Sequence, residues 1–110
     1  IAQDAQKAFE WFEQAANQGD AVAQFNVALL YKNGEGVAYD VSKAVRWLEQ
    51  AANQNHAAAQ NSLATMYEKG QGIAKDFRKA LELYLAAARQ GFAMAQYNLG
   101  IIYLNGQDIA

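Results

Sequence analysis

Cysteine is absent from the 110 residues, and histidine occurs only once. These absences exclude disulfide bonds and thiolate metal sites, and a single imidazole cannot form a histidine cluster. The chain also lacks an excess of positive charge, because its formal net charge is −2. A nucleic-acid-binding surface is therefore not predicted. No apolar run approaches the roughly 18 residues that a bilayer span requires, so direct membrane insertion is not predicted either.

A step of 36 residues runs through the whole chain. Lys-Ala pairs begin at positions 7, 43 and 79, and Ala-Ala pairs begin at positions 15, 51 and 87. Gln24, Tyr31 and Gly34 recur at the same interval. A fixed period of this size is typical of stacked repeat proteins. The composition, with 53% apolar residues and abundant alanine, favours one helical globular domain over disorder.

Each repeat is predicted to contain two antiparallel helices. After Asp40, the apolar residues Val41, Ala44, Val45 and Leu48 follow at helical spacing. The Asp40 carboxylate is suited to cap the first turn, and Asp4 and Asp76 occupy the same position in their units. The first helix should end near Gln54, before a residue in the left-handed conformation. That residue is Gly19, Asn55 or Gly91 in the three units.

A second helix should begin almost at once and end at the glycines that follow it, Gly34, Gly70 and Gly106. Gly100 replaces an alanine in the middle of the third such helix, which predicts a close approach of another helix there. Tyr31, Tyr67 and Tyr103 are expected in the core, and Tyr39 at the surface. The bulky residues expected to fill the space between hairpins are Trp11, Phe12, Trp47, Leu48, Leu83 and Tyr84.

These residues resemble the Sel1-like repeat, a branch of the tetratricopeptide superfamily, over the entire chain. The resemblance implies an all-α fold, an α-solenoid of three tandem 36-residue antiparallel hairpins with a right-handed superhelical path. It also implies a concave groove lined by the first helices, and adaptor or scaffold work. The residues of the first unit that carry it are Lys7-Ala8, Trp11, Ala15-Ala16, Gly19, Ala21, Gln24, Val27-Ala28, Tyr31, Gly34, Gly36, Val37 and Asp40.

The units are placed at 1–36, 37–72 and 73–108, and residues 109–110 match the start of a fourth. Ile1-Ala2 matches Val37-Ala38 in the same way. We therefore expect either a fragment of a longer array or a piece that self-associates. The resemblance favours a bacterial source, and it leaves cytoplasmic, periplasmic and secreted locations open.

No catalytic constellation, cofactor or metal site is predicted. The loops Gly34-Glu35-Gly36 and Gly70-Gln71-Gly72 follow helices and lack the third glycine and the Lys-Ser/Thr of phosphate-binding loops. His56 lies at a turn, and no nucleophile accompanies it, so it is interpreted as a polar turn residue. Carboxylates such as Glu10 and Glu13 are interpreted as a solvated helix face rather than a glycosidase pair.

Repeated amides have two interpretations. Gln24, Gln60 and Gln96 could grip the backbone of an extended peptide, together with Asn26 and Asn98. The favoured interpretation is structural, in which these side chains satisfy backbone groups at the turns.

A partner surface is predicted where the repeats differ. Four positions of each first helix, spaced by 4, 3 and 4 residues, form one polar stripe of mixed charge. The stripe predicts a polar peptide or protein partner, with Arg46, Glu49, Arg78 and Arg89 the most important. Its residues are Gln6, Glu10, Glu13, Asn17, Ser42, Arg46, Glu49, Asn53, Arg78, Glu82, Leu85 and Arg89.

The last unit is more apolar than the others. Leu85-Ala86 replaces a Glu-Gln pair, and Leu104 replaces Lys32 and Glu68. With Phe92 and Met94, Leu104 is predicted to form a surface for self-association or for a further repeat. The sequence thus predicts a non-enzymatic scaffold that binds a protein or peptide. The alternative is a regulatory or recruiting segment of a larger envelope-associated or signalling enzyme assembly.

Overall fold

The computed structural model describes residues 3–106, which form six α-helices and no β-strand within that range. The repeating order of helix, tight turn, helix and loop is confirmed. The predictions about residues 1–2 and 109–110 concern residues outside the described part of the chain. The helices are α1 Ala5–Asn17, α2 Ala21–Asn33, α3 Val41–Asn53, α4 Ala57–Lys69, α5 Phe77–Arg89 and α6 Ala93–Leu104.

The first helix of each hairpin begins at an aspartate, as predicted. The Asp40 carboxylate accepts a hydrogen bond from the Lys43 backbone N–H at 3.1 Å. Asp4 and Asp76 accept equivalent bonds at 3.0 Å and 3.0 Å. Each bond satisfies an N–H group that has no partner within its helix.

The turns inside the hairpins also follow the prediction, since Asn55 has a φ of 66°. Two of the second helices, α2 and α4, then begin with a side-chain cap that the sequence did not predict. The Nδ1 atom of His56 accepts from the Ala59 N–H at 3.2 Å, as the Asp20 carboxylate does from Ala23 at 2.9 Å. His56 is therefore a helix cap as well as a polar turn residue. Phe92, at the same position, makes no side-chain cap.

Two glycines hold the loops between hairpins close to the first helices. A Cβ atom on Gly36 would lie 2.2 Å from the Ala5 carbonyl oxygen, and one on Gly72 would lie 2.8 Å from a Val41 methyl group. Both glycines also have positive φ angles, 72° and 68°. The loops that follow α2 and α4 therefore fold back onto their own hairpins, in a space that excludes larger residues.

The hairpins stack into an elongated array with extents of 47 × 25 × 24 Å. The main packing is between helices that are neighbours in the chain, and it is most extensive between α2 and α3 and between α4 and α5. These junctions between hairpins bury Val27, Leu48, Met66 and Tyr84 almost completely. Stacking thus supplies the core, as is usual for repeat proteins.

At the first hairpin, two predictions about packing are wrong. Trp11 is 70% exposed and Phe12 is 37% exposed, whereas Leu48 and Tyr84, which occupy the position of Phe12, are 1% exposed. The reason is that no described helix packs on that side of α1. Trp47 and Leu83 are half-buried, in line with the prediction.

At the last hairpin, α6 has a described neighbour on one side only. Tyr103 is consequently 60% exposed rather than in the core, while Tyr31 and Tyr67 are 7% and 8% exposed. The close approach predicted at Gly100 is also absent, because an added Cβ atom would meet nothing within 4 Å. Phe92 packs against the core and is half-buried, so it contributes less outer surface than predicted. Tyr39 is exposed as predicted.

Candidate binding groove

An open groove of about 650 Å³ lies between α3 and α5, with α4 beneath it. Its walls are polar and its floor contains aromatic and aliphatic side chains. The walls and floor are formed by Arg46, Glu49, Gln50, Ala52, Asn53, Leu63, Tyr67, Lys79, Glu82 and Leu83.

Helical spacing places these side chains together. Arg46, Glu49 and Asn53 are three and four residues apart on α3, so they share one face of that helix. Lys79 and Glu82 have the same relation on α5. The ammonium of Lys79 lies 5.8 Å from the centre of the Tyr67 ring, within the range of a cation–π interaction. The Lys79 side chain is therefore held at the edge of the groove above its aromatic floor.

A smaller groove of about 290 Å³ lies beside α1, between the first and second hairpins. It repeats the same arrangement, with the Lys43 ammonium 5.6 Å from the centre of the Tyr31 ring. Glu13 and Trp47 also line it. Arg46 and Gln50 line both grooves, so one guanidinium is shared by two neighbouring sites in the array.

The structure brings together part of the predicted stripe. Arg46, Glu49, Asn53 and Glu82 line the larger groove, and Glu13 lines the smaller one with Arg46. The remaining stripe residues line neither groove, although all except the half-buried Leu85 are exposed. Those residues are Gln6, Glu10, Asn17, Ser42, Arg78, Leu85 and Arg89.

Sequence reasoning missed the lysines and tyrosines of the grooves. Lys43, Lys79, Tyr31 and Tyr67 occupy recurring positions of the repeat, and recurrence by itself indicates packing rather than binding. A signal was nevertheless present for the lysines. Lys43 lies three residues before Arg46 and therefore shares its helix face.

The favoured structural interpretation of the repeated glutamines is confirmed. The side-chain amide of Gln60 donates to the Ala52 carbonyl oxygen at 3.4 Å, and Gln24 and Gln96 donate to Ala16 and Ala88 at 3.3 Å and 3.1 Å. Gln24 and Gln60 are also buried. These two amides are therefore engaged within the fold and are not presented to a peptide.

A second set of glutamines links the hairpins. The Gln54 amide donates to the Gln24 side-chain oxygen at 2.9 Å, and Gln90 donates to the Gln60 side-chain oxygen at 2.8 Å. Each glutamine of the earlier hairpin thus accepts a bond from the residue 30 positions later. Gln54, Gln90 and their counterpart Gln18 are the C-cap residues of the first helices.

The His56 ring caps α4, and its centre lies 5.2 Å from that of the Phe25 ring. Within residues 3–106, no three side chains of the metal-ligating types come together. Nor does any helix in this range have the length and apolar character needed to cross a bilayer.

The family profile of the Sel1 repeat matches residues 1–20, 21–56, 57–92 and 93–110. The chain belongs to the Sel1 repeat family. The last three matched segments begin at the second helices, at residues 21, 57 and 93, and these starting points keep the 36-residue step. Sel1 repeats form helical arrays that typically mediate protein–protein interactions, and family members are generally non-enzymatic scaffolds.

Solved Sel1 repeat structures have the same architecture. A Sel1 repeat protein from Oxalobacter formigenes is 33% identical, with a TM-score of 0.93 over 99% of this chain and 46% of its own. A protective antigen present in uropathogenic Escherichia coli strains, displaying an SLR fold, is 35% identical, with a TM-score of 0.92 over 96% of this chain and 23% of its own. The Sel1 repeat chain described here thus spans less than half the length of either.

A third bacterial structure, the cysteine rich protein B of Helicobacter pylori, shares the fold. It is 24% identical, with a TM-score of 0.78 over 82% of this chain and 68% of its own. No protein with a curated description matches the chain.

Proposed function

We propose that this Sel1 repeat chain is a non-enzymatic scaffold that binds a peptide or protein surface in the groove between α3 and α5. The observation that carries the proposal is the composition of that groove. Two cations, Arg46 and Lys79, and two carboxylates, Glu49 and Glu82, surround a floor that includes Tyr67. Concave sites of this kind, mostly apolar below and polar at the rim, are typical of ligand recognition.

The groove chemistry indicates the kind of partner. An apolar side chain fits above Leu63, Tyr67 and Leu83, where it removes apolar surface from water. A carboxylate of the partner would meet Arg46 and Lys79, and a cation would meet Glu49 and Glu82. A polyanion is disfavoured because those two glutamates would repel it.

The stripe residues outside the groove are proposed as contacts of a longer partner. Arg78 and Arg89 continue the exposed face of α5, and Gln6, Glu10 and Asn17 continue that of α1. Ser42 continues the exposed face of α3. Exposed charges at such a rim affect the association rate more than they affect affinity.

Charge reversal at Arg46 tests the proposal. Peptides selected from a random display library against the wild-type chain would be measured by calorimetry against Arg46→Glu. We expect binding to weaken by about tenfold or more, since one partner of a groove contact becomes repulsive. Lys69→Glu makes the same change on an exposed residue of α4 that lines neither groove, and should leave affinity unchanged.

Arg78→Glu distinguishes a binding site that is confined to the groove from one that extends along the whole stripe. An effect as large as that of Arg46→Glu would show that binding spreads along α5, beyond the groove. Failure to select any peptide that competes for the groove, or equal loss with Lys69→Glu, would overturn the proposal.

A second proposal is that the array recruits a partner to, or regulates, a larger enzyme assembly. Its support is that this chain spans 46% of the Oxalobacter formigenes protein and 23% of the Escherichia coli antigen, both of which contain further segments. The test is to purify the parent protein with its bound proteins and measure the activity of that assembly. An activity that changes with Arg46→Glu supports recruitment, and one that does not change opposes it.

The last hairpin offers a separate surface, which we propose is a protein interface used in self-association. Met94, Tyr97, Ile101 and Leu104 are spaced by three, four and three residues, so they share one face of α6, and they are 63%, 69%, 37% and 80% exposed. Tyr103, on a different face of the helix, is 60% exposed. Phe92, half-buried, lies at the start of that helix. Several large apolar side chains exposed on one helix face typically mark an interface.

A further inference from the structure

We propose that the uncovered face of α6 binds α1 of a second copy of this chain, in the register that stacks α3 on α2 and α5 on α4. This inference rests on the proposal that α6 is an interface, and it specifies the occupant and the contacts. Copies would then associate head to tail, with α1 of one copy in the place that α3 takes on α2 and α5 takes on α4.

The glutamine contacts between hairpins end at α6 with one partner missing among the described residues. Gln24 and Gln60 accept side-chain bonds from Gln54 and Gln90, the residues 30 positions later. Gln96 occupies the position of Gln24 and Gln60 and is exposed. In the same register, its donor is Gln18 of a second copy, an exposed residue that ends α1 as Gln54 ends α3.

The lysine–tyrosine contacts between hairpins also lack a partner at α6 among the described residues. Lys43 lies over Tyr31 and Lys79 lies over Tyr67, each lysine coming from the next hairpin. Tyr103 is the third tyrosine of this series, and its ring is 60% exposed. Lys7 is the third lysine, exposed on α1 of the same chain. Docking α1 onto α6 in register would place a second copy's Lys7 over Tyr103.

The most specific support comes from positions where both sides change together. At the junction of α4 and α5, the Tyr84 hydroxyl donates to Glu68 at 2.8 Å and lies 3.0 Å from the Thr65 hydroxyl. On α6 the positions of Thr65 and Glu68 hold Ile101 and Leu104.

On α1 the position of Tyr84 holds Phe12. The proposed junction of α6 and α1 therefore lacks the tyrosine hydroxyl, and it also lacks both polar side chains that contact this hydroxyl between α4 and α5. Phe12 is 37% exposed and Leu104 is 80% exposed, so both have apolar surface left to cover. Burying a charged side chain against Phe12 would be costly, and Leu104 replaces the charged residues found at its position in the earlier units.

A second matched change involves Trp11. Its counterpart Trp47 lines the small groove together with Glu13 of the preceding hairpin. In the proposed junction, Leu85 takes the position of Glu13 and faces Trp11, which is 70% exposed. An aliphatic side chain replaces a carboxylate at the place where an uncovered indole would dock.

The two surfaces lie at opposite ends of the array, so the contact is heterologous rather than two-fold symmetric. Each copy uses α6 for one neighbour and α1 for the other. Such contacts extend into open chains unless the rotation between copies closes a ring.

Sedimentation velocity over a wide concentration range tests the proposal. The 12.1 kDa wild-type chain should form species larger than dimers as concentration rises. Leu104→Glu disrupts the surface of α6, and Trp11→Glu disrupts the surface of α1. Each substitution should raise the concentration needed for association by about tenfold or more. Both residues are largely exposed in the single chain, so neither change should disturb folding, which thermal unfolding by circular dichroism would verify.

Mixing the two variants gives the decisive result. Leu104→Glu retains α1, and Trp11→Glu retains α6, so an equal mixture should form dimers and nothing larger. Tyr39→Glu, a matched change at an exposed aromatic residue between α2 and α3, should behave like wild type.

Association that is lost in Leu104→Glu but unchanged in Trp11→Glu would overturn the head-to-tail arrangement while leaving α6 as an interface. A wild-type chain that stays monomeric at every concentration would overturn both. The groove proposal would be unaffected by either result, because its residues lie on α3, α4 and α5.

Discussion

Asp40, Asn55 and Gly36 show how single side chains set the path of this chain. An aspartate caps the start of each first helix, and a residue with positive φ turns the chain into the second. Gly36 then lets the following loop approach Ala5. These roles depend on local chemistry, so the caps and turns could be predicted from the sequence alone. The side-chain caps by Asp20 and His56 at the second helices were not predicted, although aspartate is a favoured N-cap residue and histidine is a rare one.

Gly36 and Gly100 should respond in opposite directions to the same substitution. Gly36→Ala places a Cβ atom against the Ala5 carbonyl and strains a positive φ, so we expect the free energy of unfolding to fall by more than about 1–2 kcal/mol. Gly100→Ala adds a Cβ atom in open space inside a helix and should raise it by about 0.5–1 kcal/mol. Urea denaturation measures both. Destabilisation by Gly100→Ala would instead support the close approach of another helix that the sequence predicted at Gly100.

The stability of the fold should decrease at high pH because of Tyr84. Burial raises the pKa of its phenol to about 12 from the ordinary 10.0; the bond and charge of Glu68 add to this, and the bond to Thr65 opposes it. Between those values the folded chain keeps a proton that the unfolded chain has lost. The free energy of unfolding should therefore fall as pH rises through this window, by at most about 2–3 kcal/mol.

Tyr84→Phe provides the control for this titration. The difference in free energy of unfolding between wild type and Tyr84→Phe, measured by urea denaturation at increasing pH, should shrink between pH 10.0 and about 12. A constant difference would show that Tyr84 titrates with its ordinary pKa in the folded chain.

At the scale of helices and hairpins, the 36-residue step predicted the number, order and ends of the six helices. It could not predict which helix faces remain uncovered. Tyr103 and Trp11 follow the same pattern as their buried or half-buried counterparts, yet both are exposed. A periodic pattern records which face is suited to packing, whereas burial also requires a neighbouring helix.

Gln60 and Gln96 occupy the same position in successive hairpins and should differ in their effect on stability. Gln60 donates to Ala52 and Asn55 and accepts from Gln90, whereas Gln96 donates to Ala88 and is exposed. We expect Gln60→Ala to lower the free energy of unfolding by about 1–3 kcal/mol, because buried groups lose their partners.

Gln96→Ala is the matched control, since it makes the same change in helix propensity. It should cost about 0.5 kcal/mol or less, in the range of one exposed hydrogen bond. Equal effects of the two substitutions in urea denaturation would contradict a stabilising role for the contacts between hairpins.

At the scale of the whole molecule, the array is linear, and the groove is a property of adjacent hairpins rather than of one. Helical spacing predicted that Arg46, Glu49 and Asn53 would share a face. It could not predict that Glu82 would lie across a cavity from them, or that Tyr67 would lie below. Those relations depend on the angle between successive hairpins, which is determined by packing at the junctions.

Hydrogen exchange should reveal the linear order of the array. In dilute solution, where copies do not associate, the amides of α3 and α4 should exchange most slowly, because hairpins flank them on both sides. The amides of α6 should exchange faster, and mass spectrometry of peptides from each helix would measure the difference. Uniform exchange from α1 to α6 would indicate that the array opens only as one unit.

The glutamine and asparagine contacts between hairpins also bear on how the chain folds during synthesis. Among the side-chain hydrogen bonds of residues 3–106, the greatest separation in sequence is 37 residues, between Asn98 and Asn61. Each contact therefore closes a loop of about one repeat, and the entropy lost in closing it does not grow as hairpins are added. A ribosome that has released one hairpin, α3 and its C-cap Gln54 has already released every residue that forms a side-chain hydrogen bond between α3 and the first hairpin.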